Sequence, residues 1–177
     1  DFLLIESSYP KGMRLASVTR NVDAGTWGAE GDLSYLLAPG LRATTTLAWT
    51  RGSNDTDGGP LGQVPPLELR AGLDWQRGTW SAGGLLRAVA RQDRVAVNQG
   101  SVVGQDIGPS AGFTVLSLNA GYRSAAGLRI TAGVDNLLDE DYAEHISRAG
   151  AMVAGFEQTT RVNEPGRTLW LSLSAEF

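Results

Sequence analysis

Cysteine is absent from this chain of 177 residues, and lysine occurs once, at Lys11. The first absence removes disulfides and thiolate metal sites. The second, together with a formal net charge of -4, leaves no basic surface of the kind that nucleic acid requires. No apolar run approaches the roughly 20 residues of a membrane-spanning helix. Histidine also occurs once, at His145, so a Ser-His-Asp relay could form only there, and no G-x-S-x-G or comparable nucleophile setting accompanies it. Enzymatic chemistry and a bound cofactor are therefore not expected. The chain starts at Asp1 with no initiator Met, charged n-region or apolar signal core, and is expected to be a piece of a longer protein.

What is abundant is strict two-residue alternation. In the last ten residues, Leu169, Leu171, Leu173, Ala175 and Phe177 share one face of a strand, and Thr168, Ser172, Ser174 and Glu176 share the other with Trp170. The third strand, 41–51, sets Leu41, Ala43, Thr45, Leu47 and Trp49 against Arg42, Thr44, Thr46, Ala48 and Thr50. In 67–76, Leu67, Leu69, Ala71, Leu73 and Trp75 oppose Glu68, Arg70, Gly72, Asp74 and Gln76. Strands are likewise expected at 2–9, with ambiguous facing, and at 22–37, 79–95, 113–123 and 128–135. The connections Ala38-Pro39-Gly40, Arg77-Gly78 and 124–127 are short, whereas 10–21, 52–65, 96–112 and 136–167 read as long loops. Short turns at one end and long loops at the other mark a transmembrane β-barrel wall of about eight strands.

A soluble β-sandwich would show the same alternation, with its polar face in water. The large rings favour the membrane. Trp49, Trp75, Trp80, Tyr35 and Tyr122 fall on apolar faces near strand ends, at headgroup level for a wall, where a sandwich core would place its largest rings mid-strand. A third reading is a complete small outer-membrane barrel with a structural or adhesive role, which requires the first and last strands to pair. An open wall of eight strands would leave two edges unpaired in lipid.

Asp135-Asn136-Leu137-Leu138-Asp139-Glu140-Asp141-Tyr142, after the penultimate strand and before a long loop and a last strand ending in Phe177, resembles the C-terminal end of TonB-dependent outer-membrane receptors. The usual form there is D-N-L-F-D-x-x-Y, and Leu138 stands in place of the Phe. The segments 21–30, 142–152 and 158–170 resemble the TonB-dependent copper receptor subgroup. The resemblance implies an all-β, antiparallel segment, residues 1–177, of a barrel of about 22 strands, without its plug domain and TonB box. It implies the bacterial outer membrane, import of a metal or metal chelate with copper preferred, and coupling to the TonB complex through an N-terminal region. Phe177 would be read by the barrel-assembly machinery, with membrane lipid and lipopolysaccharide as surroundings.

His145, Met152 and Met13 are the imidazole and thioether groups, all expected in long loops, and imidazole with thioether suits copper. His145 and Met152 are the candidate metal ligands, and ordinary loop packing is the alternative for both. The principal ligands are expected outside the segment. Asn54-Asp55-Thr56-Asp57-Gly58 has the spacing of a calcium loop but lacks its downstream Glu and reads as a turn. Asp139-Glu140-Asp141 reads as a solvated loop start. Arg42, Glu68, Arg70, Asp74, Arg87, Arg91, Arg123 and Arg129 point inward, where they would brace the wall or meet a plug.

Overall fold

The structure is a computed structural model that describes residues 1–11, 14–101, 104–147, 152–153, 156–157 and 160–175. Among the described residues fourteen strands run in the order β1 (Phe2–Lys11), β2 (Arg14–Val22), β3 (Ala24–Ala38), β4 (Leu41–Asn54), β5 (Gly59–Pro60), β6 (Glu68–Arg77) and β7 (Trp80–Val89). They continue as β8 (Gln99–Ser101), β9 (Gly104–Gln105), β10 (Phe113–Arg123), β11 (Leu128–Asp135), β12 (Met152–Val153), β13 (Phe156–Glu157) and β14 (Thr168–Ala175). Every strand pairing among them is antiparallel.

The wall is an eight-stranded sheet in the order β14-β11-β10-β7-β6-β4-β3, with β5 joined to β4. Its register keeps the apolar face continuous: Leu41 lies opposite Trp75, Trp75 opposite Ala82, Ala82 opposite Ala120, Ala120 opposite Ala132, and Ala132 opposite Leu171. That face is exposed, with Leu33 at 65% and Leu169 at 78%. A row of bare leucines on both ends of one sheet face is what a wall covered by lipid presents. The edges β3 and β14 do not pair with each other, so these residues do not close a barrel by themselves.

The tight turns follow from local chemistry. Pro39 and Gly40 join β3 to β4, and Gly40 takes φ +79° while its carbonyl accepts the Gln76 N–H at 2.7 Å. A side chain there would collide with the Gln76 backbone, so glycine is needed for both space and conformation. The β6–β7 turn sits one residue later than the Arg77-Gly78 reading: Arg77 pairs with Trp80, and Gly78, at φ +59°, and Thr79 form the loop.

Two expectations are corrected. The segment 14–22 is a strand and not part of a loop: β2 pairs with β1 along its length, and β1 pairs with β8. The resulting four-stranded sheet, β2-β1-β8-β9, is separate from the wall and stands at its long-loop end. It closes over Leu4 and Val22, both buried, and Ser7 joins it to the 90–112 loop by donating its N–H to the Asn98 carbonyl at 2.9 Å. The strand expected at 79–95 ends at Val89, because the chain leaves the ladder to bridge Gln92 to Ser110. Phe177 lies outside the described residues.

Candidate functional site

On the polar face of the wall, ion pairs gather in one cluster around Glu68 and Arg87. Arg87 on β7 donates from Nε and Nη2 to the two carboxylate oxygens of Glu68 on β6, at 2.9 and 2.8 Å. This is the forked geometry that planar guanidinium and carboxylate favour. Arg70 donates to the same Glu68 at 2.5 Å. Arg87 also donates to both oxygens of Glu144, which comes from the long loop after β11. Its guanidinium lies 5.2 Å from the centroid of the Phe113 ring, and that ring packs 4.3 Å from Tyr142 of the same loop. The β11–β14 loop therefore folds inward against the wall, held by an ion pair and a ring stack that both rest on Arg87 and Phe113.

The root of that loop is the Asp135 to Tyr142 motif. Asn136, 3% exposed, sits at φ +50° and bonds Glu140 through both ends of its amide: Nδ2 donates to the Glu140 carbonyl and Oδ1 accepts its N–H, each at 2.9 Å. Asn and Asp tolerate this left-handed conformation better than other side chains. Asp139, at φ +58°, accepts the Arg167 N–H at 2.7 Å, and Arg167 donates from Nε to the Leu137 carbonyl. The motif is thus a clasp that binds the exit of β11 to the entrance of β14.

Further out, His145 is buried with Asp106 and Ser110. Its Nδ1 lies 3.0 Å from Ser110 Oγ and 3.4 Å from Arg161 Nη2. Its Nε2 is buried without a hydrogen-bond partner and faces Asp106 Oδ1 at 3.5 Å. Asp106 also accepts the Gln63 N–H, the Gln63 side-chain amide and the Ala96 N–H, at 3.0, 3.1 and 3.0 Å. Burial by itself would raise its pKa, but these donors and His145 outweigh it and hold the carboxyl below its ordinary value. Arg161, whose own pKa burial lowers, donates to the carbonyls of Gly108, Pro109 and His145. Residues of three loops meet here: Gln63, then Ala96 with Asp106 to Ser110, then His145 with Arg161.

An imidazole coordinates metal through its unprotonated nitrogen. Here Ser110 and Arg161 face Nδ1 and Asp106 faces Nε2, so both ring nitrogens have protein neighbours. Met152 belongs by its backbone to β12, and its side chain, like Met13, lies outside the described residues. Among the described residues no group of three or more His, Asp or Glu is arranged to hold a metal. Asn54 and Asp57 close a turn, Asn54 Nδ2 donating to Asp57 at 2.6 Å, and Arg20 binds the Asp57 carboxylate from β2. Sequence reasoning identified Arg87, Glu68 and Arg70 as lumenal charges, but missed Glu144, Asp106 and Arg161, which carry no periodic signal.

Comparison with known proteins completes the description. The family model described as TonB dependent receptor-like, beta-barrel, matches residues 1–137. The chain belongs to this family. Its barrels lie in the outer membrane of Gram-negative bacteria, which is where the bare leucine face is at home. The ferric enterobactin receptor of Pseudomonas aeruginosa is 28% identical over 154 residues, 85% of this chain and 21% of the receptor. The ferrienterobactin receptor of Escherichia coli is 25% identical over 168 residues. Among solved structures, the copper transporter OprC is 44% identical with a TM-score of 0.89, covering 100% of this chain and 27% of that one. A ferric enterobactin receptor structure from Pseudomonas aeruginosa gives 26% and 0.64, covering 92% and 22%. The chain therefore spans about a fifth of the length of the curated relatives it matches.

Proposed function

We propose that these 177 residues are wall of an outer-membrane receptor that imports a metal ion or metal chelate, with copper the preferred cargo. One observation carries the choice of cargo: similarity to a copper transporter runs through the whole chain at 44% identity, against 25–28% for the ferric enterobactin receptors. The role is transport and not catalysis, in keeping with the transporters and receptors among its relatives.

The wall's contribution to import is positional. The Glu68–Arg87 cluster holds the inward loop, which leaves an open cleft of about 500 Å³ bordered by Phe113, Asp141, Tyr142, Arg161 and Asn163. Its aromatic and polar lining suits a hydrated or chelated metal. The plug, the TonB box and the principal metal ligands belong to the remainder of the receptor, which couples to the TonB complex. His145 serves as a loop buckle, Phe177 as the signal to the barrel-assembly machinery, and lipid with lipopolysaccharide surrounds the wall.

Copper binding by the purified full-length receptor tests the reading, with ferric siderophore and cobalamin as competitors. Saturable copper binding that His145→Ala leaves little changed supports it. Tight binding of a chelate without copper binding keeps the family and discards the cargo.

A further inference from the structure

The outward face of the wall has a charge pattern that import does not use. Of all residues that alternation turns outward along β3, β4, β6, β7, β10, β11 and β14, only Arg51 and Arg77 are charged. They stand at opposite rims, and each is flanked by tryptophan. Arg77 lies opposite Trp80 at the short-turn rim. Arg51 lies opposite Trp27 at the long-loop rim, one outward step above Trp49, and Trp27 meets Trp49 edge-on with ring centroids 4.7 Å apart. Tryptophan at a wall's rim marks headgroup level. A cation fixed there faces phosphate and not acyl chain.

The two rims differ in what joins them. At the long-loop rim, Arg91, which lies past the end of β7 at Val89 and so is not held to the inward facing that alternation gave it, lines with Arg94, Arg51, Trp49 and Leu67 a single cavity of about 150 Å³ that also takes in Thr50, Gly52 and Val64. Among the described residues Arg51 makes no ion pair or hydrogen bond through its side chain. Arg94 gives one long bond, 3.5 Å, to the Gly52 carbonyl. Arg91 binds Asp93 through Nε at 2.6 Å, which leaves both terminal amino groups of its guanidinium over. Three guanidiniums with one carboxylate between them carry a surplus of positive charge, and guanidinium recognises phosphate through forked hydrogen bonds. A zwitterionic headgroup would bring its own ammonium into that surplus, so the cavity fits an anionic, multiply phosphorylated lipid better.

We propose that Arg51, Arg91 and Arg94 clamp a phosphate of a phosphorylated glycolipid of the outer leaflet against the Trp27–Trp49 pair. The proposal rests on the reading of this sheet as a membrane wall with its long loops outside.

The test uses the full-length receptor in mild detergent and bisphosphorylated lipid A as probe, with retention read by native mass spectrometry. Wild type retains the lipid, the pair Arg51→Gln with Arg94→Gln weakens it about tenfold, and Arg77→Gln at the other rim keeps it. Lipid A stripped of both phosphates binds wild type no better than it binds the double variant, a comparison that needs no variant to fold differently. Equal retention by wild type and double variant overturns the clamp. So do equal binding of the stripped lipid, preference for a zwitterionic phospholipid, and displacement by inorganic phosphate at the lipid's own concentration. Heat-modifiable gel mobility of the wild type checks the wall separately: a receptor with barrel mobility and no lipid preference loses the clamp and keeps the wall.

Discussion

Trp170 lies over Gly133, its cross-strand partner on β11, on the polar face of the wall: a Cβ at Gly133 would stand 2.5 Å from Cε2 of the indole and 2.9 Å from the Leu118 carbonyl. Trp170 is the large ring that departs from the apolar face of the last strand, and the glycine opposite makes room for it. The pair joins β14 to β11 through a side-chain contact as well as through the ladder. Gly133→Val is expected to push the indole off and destabilise the barrel by about 1–3 kcal/mol, whereas Gly31→Val, where a Cβ meets open space, is expected to be near neutral. Urea midpoints of the two refolded full-length variants decide this.

Arg87 stands between two carboxylates, Glu68 on the wall and Glu144 on the inward loop, and all three side chains are between 21 and 25% exposed. Removing Arg87 leaves like charges facing each other in a half-dry site, so Arg87→Met is expected to cost about 1–3 kcal/mol, more than Glu144→Gln. The distinguishing measurement is limited proteolysis within 137–147. Both variants should be cut faster than wild type, Arg87→Met the more so. Unchanged cutting in both would mean that the loop is held by its clasp and ring stack alone.

The Asn136 clasp predicts a local effect. Asn136→Ala loses two good hydrogen bonds to Glu140 and places alanine at φ +50°, and about 1–3 kcal/mol is expected from the unmade bonds and backbone strain. Hydrogen exchange should rise at Glu140 and Arg167 and stay unchanged in the β6–β7 hairpin. Uniform acceleration throughout would contradict the clasp.

Asp106 gives a pH dependence. Its pKa is lower folded than unfolded, so its contribution is fully present above the unfolded value of about 3.9 and is lost as pH falls through the lower, folded value. The junction of Gln63, Ala96 and Asp106 with His145 and Arg161 should therefore stay closed through mildly acidic pH and loosen only below the ordinary carboxylate range. Asp106→Asn removes that dependence. Proteolysis of the loops with an acid-stable protease from pH 5 to pH 2.5 measures it, and loosening that begins near pH 6 in wild type would point to a different group.

Much of the wall was legible because its information is local. Along β4, β6, β7, β10, β11 and β14 each residue's neighbours two positions away announce which face it takes, and the turns at Gly40 and Gly78 announce where the chain reverses. The strand β2 was not legible. It pairs with β1 in a sheet other than the wall's, so the lipid–lumen boundary that gives the wall strands their alternation does not order Arg14–Val22. Of the site, the polar-face charges could be read from alternation, but the meeting of His145 with Asp106 and of Glu144 with Arg87 depends on loops folding back across the sheet. Nothing within reach of a local pattern encodes those contacts.

The cargo is the central claim, and cellular metal content tests it most directly. Cells that lack the full-length receptor, cells that express it, and cells that express it without a working TonB complex are grown in limiting copper, and copper and iron are measured in each. The account predicts copper accumulation that depends on both receptor and TonB, with iron unchanged. Iron rising with a ferric chelate while copper stays level would contradict it.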